Sequence, residues 1–211
     1  KQLLSFARLD KYSIQPLSIN QALVDTLKLV TQTFEKSIEI KRNLQNNLPL
    51  VEGDYNHLQQ VFMNLCLNAR DAMLKSGILT IETKLVKVSN AVIEKPREFP
   101  AGEYIQVTIG DNGIGMTEEV KRHIFEPFFT TKDNSKGTGL GLSIVYGIVQ
   151  SHRGFIVVES KVNEGARFKL HFPVSQNQVK IPKLKNEEQI IGGNETILLI
   201  DDDDMVLEVG K

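Results

Sequence analysis

Three short motifs, in one order along the chain, restrict its possible folds more than any other feature. They are Asn64-Leu-Cys-Leu-Asn68, Asp111-Asn-Gly-Ile-Gly115 and Gly137-Thr-Gly-Leu-Gly-Leu142. Each motif alone is a weak signal, because asparagines occur on helix surfaces, Asp-Asn-Gly forms ordinary hairpin turns, and glycine-rich loops often do no more than cap a helix. Their combination is informative, since each stands on the predicted element that its chemistry would require.

The first motif lies on a predicted helix. Asp54 is a typical N-cap, apolar residues recur at helical spacing to about Leu74, and Gly77 is expected to end the helix. Asn64 and Asn68 are four residues apart and therefore share one side of it. Asparagine is a poor helix former, but its neutral amide oxygen suits Mg²⁺ that is already surrounded by phosphate charge.

The second motif follows the predicted strand Tyr104–Ile109. At this strand end, the Asp111 carboxylate can accept a hydrogen bond from the exocyclic amine of adenine, a donor that guanine lacks there. Leaving such a group unpaired costs about 1–3 kcal/mol, which is enough for about tenfold or greater base selectivity. Gly113 and Gly115 permit positive φ and close approach of the base, and we place Met116 in the same pocket.

The third motif leads into a helix predicted over Leu140–Ser151. Backbone amides at a helix N-terminus favour phosphate, and glycines at alternate positions let the chain wrap around it. The motif is neither a P-loop nor a dinucleotide fingerprint. The polar segment Thr130–Lys136 before it is expected to be a mobile lid. The residues assigned to the phosphates are Lys132, Gly137, Thr138, Gly139, Leu140, Gly141 and Leu142.

The rest of the chain predicts further helices and strands. Ser18 would cap a helix that runs to about Phe34. The predicted strands are Ile38–Leu44, Ile78–Val86, Tyr104–Ile109, Phe155–Glu159 and Arg167–Phe172, with a short helix over Glu118–Ile124 and a polar loop around Lys95–Gly102.

Composition excludes some classes of function. The 211 residues carry 25 basic and 26 acidic side chains, a net charge of −1, which gives no support for binding nucleic acid or an anionic membrane. The single cysteine, Cys66, cannot form an internal disulfide and is expected to be a buried apolar residue. No apolar run approaches the roughly 18 residues of a membrane helix, so this segment is expected to make no membrane contact.

In their order, the three motifs resemble the N, G1 and G2 boxes of the ATP-binding domain shared by sensor histidine kinases, gyrase-type and mismatch-repair ATPases. Phe125-Glu-Pro-Phe-Phe129 resembles the histidine-kinase F box. The resemblance covers about Pro16 to Pro173. It implies a two-layer α/β sandwich, the Bergerat-type ATP-binding fold, in which a mixed sheet of about five strands carries three main helices on one face and is partly solvated on the other.

The resemblance also implies roles for individual residues. Asn68 would be the Mg²⁺ ligand, and Asn64 would support the metal or the phosphates. Related ATPases have a glutamate general base at the position of Asn64; general-base help is worth about 10²–10⁴-fold, so attack by water should be slow and a kinase is favoured over a hydrolase. Asp71 stands where many histidine kinases carry a basic residue for the phosphates, and we assign it to the nucleotide, with Arg70 or Lys75 as substitute cations.

One departure concerns the last glycine box of the family, which Gly165-Ala-Arg-Phe168 resembles. That box often has a hydroxyl residue after the glycine to support the adenine contact. Ala166 lacks the hydroxyl, so we expect a weakened contact.

The resemblance divides the chain into four parts. Residues 1–12 would be the end of an upstream dimerisation and phosphoacceptor helix, 13–174 the catalytic domain, 175–194 a linker, and 195–211 the first strand of a truncated receiver domain. We expect the last part to be disordered or to add to an exposed sheet edge. None of the four histidines is followed by an acid, as the acceptor histidine of the family is.

The implied function is that of the catalytic domain of a hybrid sensor histidine kinase. With ATP and Mg²⁺, it would transfer the γ-phosphoryl group to a histidine of the upstream domain, and the phosphate would pass to a receiver domain, in cis or on a separate response regulator. We expect a monomeric fragment of a homodimeric cytoplasmic protein whose membrane anchor, if present, lies upstream. The alternatives are a non-catalytic ATP-binding regulatory module (a pseudokinase), a gyrase-like ATPase, which Asn64 disfavours, and a serine kinase of the anti-sigma type, which the two end segments disfavour.

Overall fold

A mixed five-stranded sheet forms the centre of the protein, which the computed structural model describes over residues 13–74, 76–89, 91–94, 97–132 and 137–175. The elements in chain order are β1 (Gln15–Leu17), α1 (Ile19–Thr33), β2 (Ile38–Leu44), β3 (Val51–Gly53), α2 (Tyr55–Ala72), β4 (Gly77–Val88), β5 (Val92–Glu94), β6 (Arg97–Phe99), β7 (Gly102–Asp111), α3 (Glu118–His123), α4 (Gly141–Ser151), β8 (Phe155–Ser160) and β9 (Ala166–Pro173).

The order of strands in the large sheet is β2-β4-β7-β9-β8. The β2–β4 pair is parallel, and the other three pairs are antiparallel. Ile81, Ile109 and Phe168 are register partners across three neighbouring strands, and all three are buried. They belong to the apolar face on which the helices pack. The predicted α/β sandwich, with a mixed sheet and its helices, is therefore confirmed.

Local capping signals fix where the long helices begin. The Ser18 hydroxyl accepts a hydrogen bond from the Gln21 amide (3.3 Å) at the start of α1. The Asp54 carboxylate accepts one from the His57 amide (3.1 Å) at the start of α2. Such caps satisfy amides that have no partner within the helix, so both predicted starts are confirmed.

The predicted end of α2 is wrong. The helix ends at Ala72, and the Met73 amide donates to the carbonyls of Ala69 and Arg70. Leu74 then takes the left-handed conformation, with φ of 59°, that glycine usually supplies at this position. Gly77 is already the first residue of β4.

Two short strand pairs were not predicted. β1 pairs with β3, and β5 pairs with β6 inside the segment that was expected to be a polar loop. Phe99, at the end of β6, is 4% exposed and packs with Tyr104 and Phe155 on the sheet face opposite the helices. The second face is therefore covered at one end, while Glu82 and Lys84 of β4 remain exposed on it.

Several predictions fall outside the described residues. These are the helix end over 1–12, nearly all of the linker over 175–194, the receiver-like strand over 195–211, the substitute cation Lys75 and residues 133–136 of the expected lid. Among the residues that the structure does describe, no helix is long and apolar enough to cross a membrane.

Candidate nucleotide-binding site

The first and third motifs meet in space. α2 carries Asn64 and Asn68 on the side that faces the start of α4, and both side chains are half-buried. The Asn64 Nδ2 atom donates to the Gly141 carbonyl oxygen at 3.4 Å. The Asn68 Nδ2 atom would lie 3.9 Å from a Cβ placed on Gly141. The asparagine pair and the glycine-rich helix start therefore border one space.

The start of α4 is suited to an anion. Leu140 occupies the N-cap position and makes no side-chain capping hydrogen bond. The amides of the first turn are therefore not satisfied by a capping side chain, and they carry the positive end of the helix dipole. The Thr138 hydroxyl accepts from the Leu140 amide at 3.4 Å and holds the loop just before the helix.

Asp111 lies at the end of β7, as predicted, with its carboxylate half-buried. Burial raises the pKa of this carboxyl above its usual value, although hydrogen bonds from the Gly113 and Ala166 backbones oppose the shift. The Oδ1 atom accepts from the Gly113 amide at 2.8 Å, which fixes the side chain to its own turn. The carboxylate is thus positioned by the turn before any ligand arrives.

The glycines of the second motif make their closest approaches to protein backbone. Gly115 has φ of 63°, and a Cβ there would lie 1.9 Å from the Lys161 carbonyl oxygen. A Cβ on Gly113 would lie 2.4 Å from the Ala72 carbonyl oxygen, which also accepts from the Ile114 amide at 3.1 Å. The requirement for glycine was predicted, but its immediate cause is packing against the end of α2 and the β8–β9 turn.

Ser160 is a site residue that the sequence did not reveal. Its hydroxyl accepts from the Met116 amide at 2.9 Å and donates to the Gly165 carbonyl at 2.7 Å. It is 8% exposed and is the register partner of Ala166, the residue that lacks the hydroxyl usual in this box. The only sequence signal was its position at the end of a predicted strand.

The predicted F box contacts the third motif. The Phe128 amide donates to the Gly139 carbonyl at 2.9 Å, and both residues have positive φ, 68° and 66°. A Cβ on Gly139 would lie 2.3 Å from the Phe128 carbonyl carbon, so only glycine fits there. Phe125 packs against Tyr146 of α4, with ring centroids 5.1 Å apart. The F box thus supports the glycine loop from outside.

Lys132 forms an ion pair with Asp71 at the end of the candidate site that is assigned to the phosphates. Its Nζ atom lies 2.7 Å from the Asp71 Oδ2 atom, while Arg70 donates to Asp71 Oδ1 from Nη2 at 2.8 Å and from Nε at 3.0 Å. Burial tends to raise the pKa of the Asp71 carboxyl, but the two cations outweigh it and hold that pKa below its usual value. Two residues that were predicted separately as nucleotide contacts therefore form an ion pair.

His152 and His123 make hydrogen bonds within the fold. His152 joins two helices: its Nε2 atom accepts from the Asp54 amide at 2.9 Å, and its Nδ1 atom lies 2.7 Å from the Ile148 carbonyl. His123 lies 2.8 Å from the Glu126 carboxylate, and its ring contacts that of Phe129 with the two planes tilted by 35°. In the part of the chain that the structure describes, no group of three or more His, Cys, Asp or Glu side chains could hold a metal ion.

Comparison with known proteins agrees with this geometry. Residues 53–176 match the family described as histidine kinase-, DNA gyrase B- and HSP90-like ATPase. The sensor kinase CckA of Brucella abortus is 35% identical, over 98% of this chain and 23% of its own length. The catalytic domain of histidine kinase ThkA is 29% identical with a TM-score of 0.61, over 77% of this chain and 96% of that domain. Full-length ShkA, in complex with AMPPNP, is 26% identical with a TM-score of 0.64, over 82% of this chain and 34% of ShkA.

The chain spans between 20% and 35% of the length of the curated kinases that it matches. Within that span, the matched family covers all three motifs and both helices that border the candidate site. The chain belongs to the histidine kinase, DNA gyrase B and HSP90-like ATPase family, as a catalytic ATP-binding domain of the sensor histidine kinase type.

Proposed function

We propose that this domain binds Mg·ATP between α2 and the start of α4 and transfers the γ-phosphoryl group to a histidine on another domain. The observation that carries the proposal is the approach of Asn64 to Gly141, which aligns the asparagine face of α2 with uncapped helix amides. Asp111, at the neighbouring strand end, would accept from the adenine amine. The phosphates would lie between Asn68 and the glycine loop.

Mg²⁺ would enter with the nucleotide. Among its described residues, the candidate site offers amide oxygens and no cluster of carboxylates, and a neutral amide suits a metal whose charge is already met by phosphates. Asn68 would supply the protein ligand, with Asn64 beside it. Bound there, Mg²⁺ would neutralise charge that develops on the phosphate oxygens.

The surroundings of the phosphates favour transfer to an external nucleophile over hydrolysis. Asn64 cannot take a proton from water at neutral pH, and Asp71 is paired with Arg70. In the proposed reaction, an imidazole nitrogen attacks the γ-phosphorus, a P–N bond forms, the bond to the bridging oxygen breaks, and ADP leaves. Lys132 would stabilise the charge on the γ-phosphoryl oxygens as it moves to the acceptor.

The acceptor would lie outside the described domain. His152 is hydrogen-bonded on both ring nitrogens, His171 is buried, and none of the four histidines is followed by an acid, as the acceptor histidine of the family is. We therefore place the acceptor on an upstream dimerisation domain of a homodimeric kinase and the next acceptor, an aspartate, on a receiver domain in cis or on a response regulator. The support for this step is the family to which the chain belongs.

Nucleotide binding is tested by calorimetric titration with AMPPNP and Mg²⁺. Asp111→Ala should abolish measurable binding, because a buried acceptor for the adenine amine is lost. Asp111→Asn should bind weakly, since it can still accept from the Gly113 amide but presents an amide group to the base. Glu82→Ala removes an exposed acid on the other sheet face and should bind as the wild type does. Wild-type protein that does not bind at millimolar nucleotide would refute the site.

The alternative, a non-catalytic ATP-binding module, would bind the nucleotide but transfer no phosphoryl group. Incubation of this domain with ATP and the dimerisation domain of a sensor kinase should give an acid-labile, alkali-stable phosphohistidine. Asn68→Ala should remove both the product and the Mg²⁺ dependence of binding. Tight nucleotide binding with no phosphohistidine would favour the regulatory module.

A further inference from the structure

Asp71 has the wrong charge for its place in a phosphate site. It lies on α2 three residues after Asn68, and 29% of its side chain is exposed. An uncompensated carboxylate there would repel the phosphates of a nucleotide. The structure shows how the repulsion is met, since each oxygen of Asp71 contacts a different cation.

The two cations differ in how firmly they are held. Arg70 is the next residue to Asp71 in the chain, and its guanidinium lies 5.6 Å from the centre of the Phe34 ring, where it makes a cation–π contact. Lys132 arrives from 61 residues away, on the segment that follows the F box. Its backbone amide donates to the Thr130 hydroxyl at 3.1 Å, and 35% of its side chain is exposed. Lys132 is therefore held at Asp71 by one hydrogen bond, whereas Arg70 makes two hydrogen bonds to Asp71 as well as the contact with Phe34.

This difference makes the lysine exchangeable. A partly buried carboxylate that loses its only cation is costly, because an uncompensated charge remains. Asp71 would keep Arg70 on its Oδ1 atom if Lys132 moved away. The departure of Lys132 would therefore cost little more than one partly exposed ion pair.

We propose that Asp71 is the exchange partner of Lys132. It holds the lysine at the phosphate end of the site when no nucleotide is present and yields it to the γ-phosphate of ATP, while Arg70 continues to compensate Asp71. This inference rests on the proposed function. A γ-phosphate carries more charge than a carboxylate and can take the lysine, whereas ADP lacks that group and leaves the pair intact. By competing for Lys132, Asp71 thus lowers the affinity for ATP and leaves the affinity for ADP unchanged.

The test is a double-mutant cycle in nucleotide binding, measured by calorimetry with Mg·AMPPNP and Mg·ADP. Asp71→Asn should bind Mg·AMPPNP about two- to fivefold more tightly, because the competing ion pair is gone, and Mg·ADP within about twofold of the wild type. Lys132→Met should weaken Mg·AMPPNP about tenfold, because a hydrogen bond to a charged phosphate is lost, and leave Mg·ADP unchanged. In the Lys132→Met background, Asp71→Asn should change neither affinity.

Two further variants separate exchange from general effects. Arg70→Gln removes the cation that stays, so Lys132 should be held more tightly and Mg·AMPPNP should bind less well; adding Asp71→Asn should reverse that loss. Glu159→Gln removes the acid of a separate ion pair, with Lys169, outside the candidate site and should leave the affinity for both nucleotides unchanged.

Three results would overturn the exchange. They are weaker binding of Mg·AMPPNP by Asp71→Asn, an equal change for Mg·AMPPNP and Mg·ADP, and the same effect of Asp71→Asn with and without Lys132. Such results with wild-type binding intact would leave the nucleotide site in place and assign Asp71 to metal binding or to the fold. Absence of wild-type binding would refute the proposed function and this inference together.

Discussion

Ser160 joins two loops of the candidate site through one hydroxyl group, which bonds to Met116 and Gly165. Replacing it with alanine leaves a partly buried amide and a buried carbonyl without this partner, at a cost of about 1–3 kcal/mol in the free energy of unfolding. Ser160→Ala should also weaken AMPPNP binding, because the loop that follows Asp111 is no longer fixed. Urea denaturation and calorimetry measure the two effects.

Ser151→Ala is the matched control for this prediction. The Ser151 hydroxyl donates to the Ile148 carbonyl at 2.7 Å, at the end of α4 remote from the glycine loop. We expect a small loss of stability in this variant and no change in nucleotide affinity. If Ser160→Ala lowers stability and leaves affinity unchanged, Ser160 stabilises the fold and does not position the site.

Residue types could be predicted from the sequence at this site, but contacts between them could not. Asn64, Asn68 and Asp111 were proposed as site residues because of their spacing or their place at the end of an element. The pairing of Asp71 with Lys132 links positions 61 residues apart. It depends on where the chain after the F box returns to α2, and no local pattern encodes that return. Ser160 was missed for the same reason, since its partners come from two other loops.

Leu74 ends α2 in a conformation that suits glycine. Its φ is 59°, and 73% of the residue is exposed, so little packing would be lost on truncation. A non-glycine residue in the left-handed region costs about 1–2 kcal/mol, which exceeds the extra chain entropy that glycine loses on folding, about 0.5–1 kcal/mol. Leu74→Gly should therefore raise the free energy of unfolding by about 0.5–1 kcal/mol in urea denaturation.

The opposite sign is expected inside a helix. Leu29 is also exposed, at 53%, but it lies within α1. Leu29→Gly should lower the free energy of unfolding by about 1 kcal/mol, because glycine is a poor residue in a helix interior. A loss of stability in both variants would show that the Leu74 side chain contributes contacts that outweigh its backbone strain.

Elements with strong local signals were predicted well, and elements that depend on distant partners were not. The N-caps and apolar stripes of α1 and α2 predicted both helices, and alternation predicted strands near their observed bounds. β1, β3, β5 and β6 have three residues each, which is too short for a pattern of alternation to be read. β1 and β3 form because they pair with each other across 36 residues, as Pro16 with Glu52.

Apolar clusters on both faces of the central sheet stabilise the described domain. The face opposite the helices also contains a buried histidine. His171 stacks on Phe155, with ring centroids 4.2 Å apart, and the Gln106 side chain donates to its Nε2 atom at 2.7 Å. A ring nitrogen that accepts a hydrogen bond belongs to a neutral imidazole. The hairpin of β5 and β6 contributes Phe99 to the same cluster, in ring contact with Phe155, so this face forms a second, smaller core.

This second core should make the protein sensitive to acid. Burial, together with the charges of Lys169 and Lys84, lowers the pKa of His171 to about 4, against a usual value of 6.5. Between these values the unfolded chain binds a proton that the folded chain does not. The contribution of His171 to the free energy of unfolding is therefore fully present above about pH 6.5. It falls by on the order of 2–3 kcal/mol as the pH decreases towards 4. Urea denaturation at pH 7, 5.5 and 4.5 measures the decline, and His171→Gln should flatten it.

Phe155→Leu disturbs the same cluster without removing the imidazole, so it should lower stability at every pH and keep the slope. An unchanged slope in His171→Gln would assign the acid sensitivity to other groups, of which His152, whose pKa burial also lowers, is the first to test.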